Sequence, residues 1–203
     1  TDWLMQRIAF KPYACGTMTQ PFIDCALKLN KQLNKQAINT NTIESITCKV
    51  GEGTVHRLWE PLTEKRRPTT SYSAKFSVPY CIAVGLVDGA AGLEQFREAR
   101  VRDEKILSIA QRISYEIDPE NEYPHNYSGH LRVKYQNGEV HEIEQAHLRG
   151  GAREPLRKDE LLAKFCANAE YGGASSEQID SYLQQLDELF RRDSAINLKV
   201  FKG

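Results

Sequence analysis

LRVKYQNGEVHEI, residues 131–143, is the stretch that decides how the middle of this chain folds. Its first half alternates apolar and polar side chains, as a half-buried β-strand does, with the apolar ones at Leu131, Val133 and Tyr135. Asn137-Gly138 follows, the dipeptide most typical of a tight hairpin turn. A second strand is predicted from Val140, and because Ile143 lies three residues further on rather than two, we expect a bulge in it.

Further strand and helix patterns precede this predicted hairpin. Strands are predicted over residues 3–10, 43–50 and 113–117. Helices are predicted over residues 21–33, 77–89, 93–96 and 106–110. Ser77 is suited to cap its helix and Gly89 to end it. Residues 1–150 are therefore predicted to form an α+β domain, with a small mixed sheet and packed helices.

No strand pattern returns after Gly150-Gly151. A helical pattern begins near Leu161, breaks at Gly172-Gly173, and resumes after Ser175, which forms a capping box with Gln178. Residues 151–203 are therefore predicted to form a C-terminal helical segment. The chain opens at Thr1 inside a strand pattern, and we expect it to be a piece of a longer protein.

The composition argues against several classes of protein. Lysine plus arginine equal aspartate plus glutamate at 27 each, whereas nucleic-acid-binding domains carry a basic excess, so no nucleic-acid partner is expected. Apolar runs fall short of the ~20 residues that span a bilayer, so no membrane association is expected. The cysteines are odd in number and lack CxxC spacing, which favours a reducing cytoplasm over a disulfide framework: Cys15, Cys25, Cys48, Cys81 and Cys166.

The histidines do not indicate a metal site. They show neither ligand spacing nor triad spacing along the chain: His56, His125, His130, His141 and His147. Three of them flank or occupy the predicted hairpin, which favours sheet-surface histidines. We therefore expect neither a metal nor another cofactor.

The segment from Lys11 to Asp24 has the ingredients of an anion site. Lys11 ends a predicted strand, Gly16 permits a turn, and a helix is predicted to start near Pro21. The first turn of a helix presents unpaired N–H groups and a partial positive charge, which favour carboxylate or phosphate. The same residues also fit a purely structural interpretation, with Lys11 solvated and the nearby threonines capping the helix.

Tyr80 is a second candidate, in the first turn of the helix after Ser77. Its phenol is suited to donate a proton or a hydrogen bond to a substrate oxygen. An aromatic side chain at helical spacing beside Phe76 also fits an ordinary core position.

Three stretches together resemble the MmgE/PrpD family. They are FKPYACGTMTQPFIDCALKL (10–29), RPTTSYSAKFSVPYCIAVGLVDG (67–89) and REPLRKDELLAKF (153–165). The first resembles the family's K-P-Y-P-C stretch and the Ile-Asp helix start, the second its A-K-F-S-L-P-Y segment, and the third its P-L-x-x-x-E-L-x-x-K-F helix. Their order and spacing match as well.

The resemblance implies a two-domain enzyme with a large helical domain and a smaller α+β lid domain. Members are dehydratases, decarboxylases and epimerases of small polycarboxylates, including the 2-methylcitrate dehydratases of propionate metabolism. They work without a cofactor and are commonly homodimers. This chain would supply the lid, and residues 151–203 would pack on an N-terminal helical domain that the chain does not contain.

The resemblance also implies roles for individual residues. Lys11 matches the active-site lysine and Tyr80 a tyrosine beside the substrate. The implied substrate-binding residues are Cys15, Gly16, Thr17, Thr19, Gln20 and Ser77, whereas Asp24 matches a position with a structural role. Gln20 stands where many members have histidine, and a neutral amide is neither a general acid nor a base. This departure argues against 2-methylcitrate and cis-aconitate as substrates and leaves the broader lyase or isomerase class.

A different class of function stays open. A stand-alone, non-catalytic module that binds a small anion or a protein partner would also fit a neutral α+β domain with one anion site. If the chain is instead the C-terminal part of the enzyme, we expect it to be inactive alone.

Overall fold

The computed structural model describes residues 8–36 and 39–191. Within that part, no helix combines the length and the apolar character required to cross a membrane. The helices are α1 Gln20–Gln36, α2 Glu52–Leu58, α3 Leu62–Arg66, α4 Ser71–Ala74, α5 Val78–Asp88, α6 Glu98–Val101, α7 Glu104–Ala110, α8 Lys158–Tyr171 and α9 Ser176–Arg191. The strands are β1 Ile43–Val50, β2 Ile113–Ile117, β3 Gly129–Tyr135 and β4 Val140–Gln145. The predicted α+β fold is confirmed.

The four strands form one mixed sheet in the order β2-β1-β3-β4. Strand β1 is parallel to β2 and antiparallel to β3, and β3 and β4 form the predicted hairpin. Alternate residues of β3 face the core, which explains why Leu131 and Val133 are fully buried while Arg132 and Lys134 are exposed.

Helices α1 and α5 pack together beside this sheet, with α1 also contacting β3 and β4. Helix α5 is apolar on every side and buried from Val78 to Leu86, as expected of a helix surrounded by the core. The Ser77 side chain accepts a hydrogen bond from the Tyr80 backbone N–H, and Gly89 adopts a left-handed φ of 65° at the C-terminal end. Both predicted ends of this helix are therefore confirmed.

The structure divides into two compact units, residues 1–161 and 162–203. The sheet and α1–α7 belong to the first unit. Helix α9 belongs to the second, where Ser175 and Gln178 form the predicted capping box through reciprocal bonds between side chain and backbone.

One predicted strand is wrong over the three residues of it that the structure describes, and the predicted bulge is wrong. The predicted strand 3–10 is irregular over residues 8–10, where Phe10 makes one backbone bond to Gly150 rather than a ladder, and residues 3–7 lie outside the described residues. The predicted bulge between Val140 and Ile143 is absent, because pairing runs unbroken from Lys134↔Val140 to Gly129↔Gln145. Val140 faces solvent and Ile143 faces the core, so their odd spacing needs no extra residue. The register shift lies instead between β1 and β3, at Ile43 and Ser45.

Candidate active site

The segment from Lys11 to Thr19 is a folded loop that leads into α1. Residues 17–19 form a short 3-10 turn, and the Thr19 backbone and hydroxyl both donate hydrogen bonds to the Gly16 carbonyl oxygen. Lys11 is exposed, and its Nζ lies 3.5 Å from the Cys15 carbonyl oxygen, at the outer limit of a hydrogen bond. The ammonium group of Lys11 is therefore available to a ligand.

Gly16 lets this loop lie directly against the turn between α4 and α5. Its backbone N–H donates to the Lys75 carbonyl oxygen at 2.9 Å. A Cβ atom at Gly16 would lie 3.2 Å from the Phe76 ring and 3.3 Å from that same carbonyl oxygen. A side chain at this position would therefore be tightly packed, and the backbone bond holds the loop beside the segment that contains Ser77.

Two thiols meet under the loop. The Thr19 hydroxyl lies 3.0 Å from Cys15 Sγ, and the Cys81 thiol of α5 also hydrogen-bonds to Cys15. The bond from Cys81 is the main cause that lowers the pKa of Cys15, with the Lys11 charge acting in the same direction. Burial raises the pKa of Cys81 well above its usual value. Both thiols thus lie buried beside the Thr19 hydroxyl.

A buried polar network holds the other side of the loop. The Asp24 carboxylate accepts hydrogen bonds from the Tyr13 hydroxyl at 2.5 Å and from Arg149 Nε at 2.8 Å. Arg149 also donates to the Tyr13 oxygen at 2.6 Å and to Glu160 at 2.8 Å. Burial raises the pKa of Asp24, whereas the bonds from Tyr13 and Arg149 lower it. These contacts fit the structural role expected of Asp24.

The first turn of α1 is closed off within this chain. Thr19 and Gln20 are 0% and 1% exposed, and the backbone of Pro21 packs so tightly on Gly129 that a Cβ there would lie 2.5 Å from it. Both amide atoms of the Gln20 side chain are buried without a hydrogen-bond partner among the described residues. A ligand at this loop therefore meets Lys11 and the half-buried Thr17 first.

Tyr80 occupies a core position. It is fully buried, its ring lies against Phe96, and its hydroxyl donates to the Gln95 carbonyl oxygen at 2.7 Å. Burial raises the pKa of this phenol above its usual value, so it stays protonated. Ser77 is also fully buried and donates to the Lys65 carbonyl oxygen. The structure thus brings Lys11, Cys15, Gly16, Thr17 and Thr19 together, while the Tyr80 hydroxyl bonds elsewhere.

A cavity of about 310 Å³ lies outside this loop, between residues 124–127 and 147–153. His125, His147 and Arg153 contribute to its wall. A separate group of side chains with the donor atoms of a metal site comprises His130, Glu142 and Glu144. His130 lies on the face of β3 opposite the core residue Leu131, as expected of a sheet-surface histidine, but it is only 8% exposed.

Sequence reasoning missed Tyr13 and Arg149. Arg149 lies 125 residues from Asp24 and 136 residues from Tyr13, so no local pattern connects the three. The local sequence feature that could have indicated Arg149 is the adjacent Gly150-Gly151 pair, which is typical of a turn. In the structure Gly150 has a φ of 88°, and its N–H donates to the Glu154 carbonyl oxygen.

Comparison with known proteins agrees with the resemblance of the three motifs. A family model described as the MmgE/PrpD C-terminal domain matches residues 13–188. The chain is 23% identical to the cis-aconitate decarboxylase of Homo sapiens over 209 residues, which covers 100% of this chain and 42% of that protein. It is 25% identical to the cis-aconitate decarboxylase of Aspergillus terreus over 199 residues, covering 92% of this chain and 39% of that protein.

The chain belongs to the MmgE/PrpD family, because the matched region takes up most of its length. It spans about two fifths of the length of the curated relatives that it matches.

Proposed function

We propose that this MmgE/PrpD chain is the C-terminal part of a lyase that acts on a small polycarboxylate, with Lys11 as the substrate-binding cation. The observation that carries this proposal is the match along the whole chain to cis-aconitate decarboxylases. We further propose that the complete protein is a dehydratase, decarboxylase or epimerase. Its N-terminal helical domain would then pack on residues 151–203 and supply the base, and the enzyme would act as a homodimer.

The chemistry of the class makes a fixed cation useful. Loss of carbon dioxide, or of a proton next to a carboxylate, builds negative charge that spreads onto carboxylate oxygens. A lysine ammonium group placed there stabilises the charge as it develops, and a charge-assisted hydrogen bond contributes about 1.5–3 kcal/mol. Lys11 suits this role because its ammonium group is exposed while the loop behind it is bonded to Lys75 and Arg149.

The proton donor is less well placed in this chain. Tyr80 stays protonated but uses its hydroxyl on the Gln95 carbonyl oxygen, so donation to a substrate requires that bond to be exchanged. Gln20 has no titratable group and is buried, which supports a role in shaping the site rather than in moving a proton. In our proposal the loop conformation is held by Cys15, Gly16 and Thr19, and the substrate contacts Thr17.

The test uses the full-length protein and a panel of polycarboxylates that includes cis-aconitate and 2-methylcitrate, with carbon dioxide release and substrate loss followed separately. Lys11→Ala should lower kcat/KM at least ~10-fold, the equivalent of one charge-assisted contact. Lys105→Ala, an exposed lysine at the start of α7, is the matched control and should keep full activity. The same panel applied to the 203-residue chain should show no turnover.

Two results would contradict the proposal. Full activity in Lys11→Ala would remove the lysine from the site. Absence of turnover on every polycarboxylate, together with saturable binding of an anion to the 203-residue chain alone, would favour the non-catalytic module. Tyr80→Phe distinguishes the two roles considered for Tyr80. A fall in kcat without a change in KM supports proton donation, and unchanged kinetics assign Tyr80 to the core.

A further inference from the structure

The outer face of the β3–β4 hairpin gathers three side chains with the donor atoms that transition metals prefer. His130 of β3 and Glu144 of β4 are directly opposite each other in the register. Glu142 precedes Glu144 by two residues and therefore lies on the same face of β4. One ligand atom from each lies within 4.8 Å of the other two. Because an unbroken ladder of hydrogen bonds joins the strands, the backbone fixes the spacing of the group.

The distance between His130 and Glu142 fits a shared ion better than a direct bond. His130 Nε2 lies 3.5 Å from Glu142 Oε2, beyond the usual N–H···O range of about 2.7–3.2 Å. Two ligands of a tetrahedral zinc ion, each with a bond of about 2.0–2.1 Å, are ~3.4 Å apart. An ion therefore fits between these atoms with small adjustments of two exposed glutamates.

Burial and charge point the same way. The His130 side chain is only 10% exposed, and the ring nitrogen that faces Glu142 is Nε2. The imidazole stands next to two carboxylates, of which Glu142 has a distant pairing with Arg132 at 3.8 Å. Glu142 and Glu144 lie two residues apart on one face of β4, and a divalent cation beside both carboxylates would offset their mutual repulsion.

We propose that His130 Nε2 and the carboxylates of Glu142 and Glu144 bind one divalent transition-metal ion of the zinc class, with water completing the coordination. A nitrogen donor combined with carboxylates selects zinc-like ions over magnesium, which prefers oxygen alone. The site is separate from the Lys11 loop and does not depend on the proposed lyase activity. Its effect would be to join β3 to β4 across the hairpin.

Spacing along the chain did not indicate this site, because its ligands lie 12 and 14 residues apart and meet only when the hairpin forms. This departs from our expectation that the protein binds no metal, which rested on linear spacing. The imidazole lies before the Asn137-Gly138 turn in the sequence, and both carboxylates lie after it.

The experiment is isothermal titration of zinc chloride into the metal-free 203-residue chain at neutral pH, in a Cys166→Ser background that removes the half-exposed thiol. We expect one ion per chain. Glu142→Gln with Glu144→Gln, two exposed positions that leave the fold intact, should weaken zinc binding at least ~10-fold, and so should His130→Ala. His56→Ala, an exposed histidine on α2, is the matched control and should bind as the parent does.

A second measurement guards against a variant that does not fold. Zinc should raise the melting temperature of the parent and of His56→Ala but not of the double glutamine variant. The proposal is overturned by the absence of stoichiometric zinc binding, by unchanged affinity in the double glutamine variant, or by an equal response to magnesium chloride. An equal response to magnesium would show that surface carboxylates bind divalent cations nonspecifically.

Discussion

Removing the Arg149 guanidinium should destabilise the first compact unit more than any surface substitution. The Arg149 and Asp24 side chains are 21% and 6% exposed, and Arg149 joins three groups: Asp24, Tyr13 and Glu160. In Arg149→Met the Asp24 carboxylate stays buried and keeps only the Tyr13 hydroxyl as a donor. Breaking a buried pair by removing one partner costs about 3–5 kcal/mol, and we expect a loss in that range.

Two related variants apportion this cost. Arg149→Lys keeps the charge but loses the planar fork that reaches Asp24 and Tyr13 together, so an intermediate loss of about 1–2 kcal/mol is expected. Arg149→Met combined with Asp24→Asn removes the buried charge as well, and should cost less than the two single changes added. Such a positive coupling is the signature of a buried ion pair.

The assay is urea unfolding followed by tryptophan fluorescence, since Trp59 is fully buried between Phe22 and Tyr115. Arg153→Met is the control: Arg153 is more than half exposed and lies 3.5 Å from Glu122, so it should change the unfolding free energy by less than ~1 kcal/mol. A loss below ~1 kcal/mol in Arg149→Met, or strictly additive effects in the double variant, would refute the reasoning.

Two further predictions concern the core. Gly129→Ala places a Cβ atom 2.5 Å from the carbonyl group of Pro21, so we expect it to lower the unfolding free energy in urea by ~2 kcal/mol or more. Gly138→Ala has nothing within 4 Å of its Cβ and should cost only ~1 kcal/mol, from its left-handed φ of 88°. Equal losses in the two variants would contradict this. Burial raises the pKa of Cys25 to about 12, so above pH ~9 the unfolded chain releases a proton that the folded chain retains, and the unfolding free energy should fall as pH rises. Under reducing conditions the slope should reach about 1.4 kcal/mol per pH unit for this thiol and should be shallower in Cys25→Ala; an identical slope would show that Cys25 does not titrate differently on unfolding.

Local patterns in the sequence predicted the elements whose ends are set locally. The hairpin at Asn137-Gly138, the Ser77 cap and the Gly89 stop are each determined by a few adjacent residues, and each is confirmed. Alternation alone did not predict a strand correctly at residues 8–10, because a strand also requires a neighbouring strand to pair with. Among the described residues, Phe10 makes a backbone bond to the Gly150 carbonyl but pairs with no strand.

The candidate site was predictable only in part for the same reason. Lys11 and the Cys15–Thr19 turn are contiguous, so the motif that suggested them also places them together. The groups that fix the loop, Arg149 and Lys75, come from distant parts of the chain, and no local period links them to it. The close packing of Gly129 on Pro21 at the helix start is likewise a contact across more than 100 residues.

The network around Asp24 also determines when the Lys11 loop gains its last polar contacts during synthesis. Tyr13 and Asp24 emerge early, but their partner Arg149 follows 136 and 125 residues later. At elongation rates of about 5–20 residues per second, the early segment waits roughly 6–27 s for that partner. The loop that presents Lys11 is thus completed by nearly the last residues of the first compact unit, and a nascent chain shorter than this holds Asp24 without its cation. The contacts of Arg149 with Tyr13 and Asp24 therefore form only after residue 149 has been synthesised.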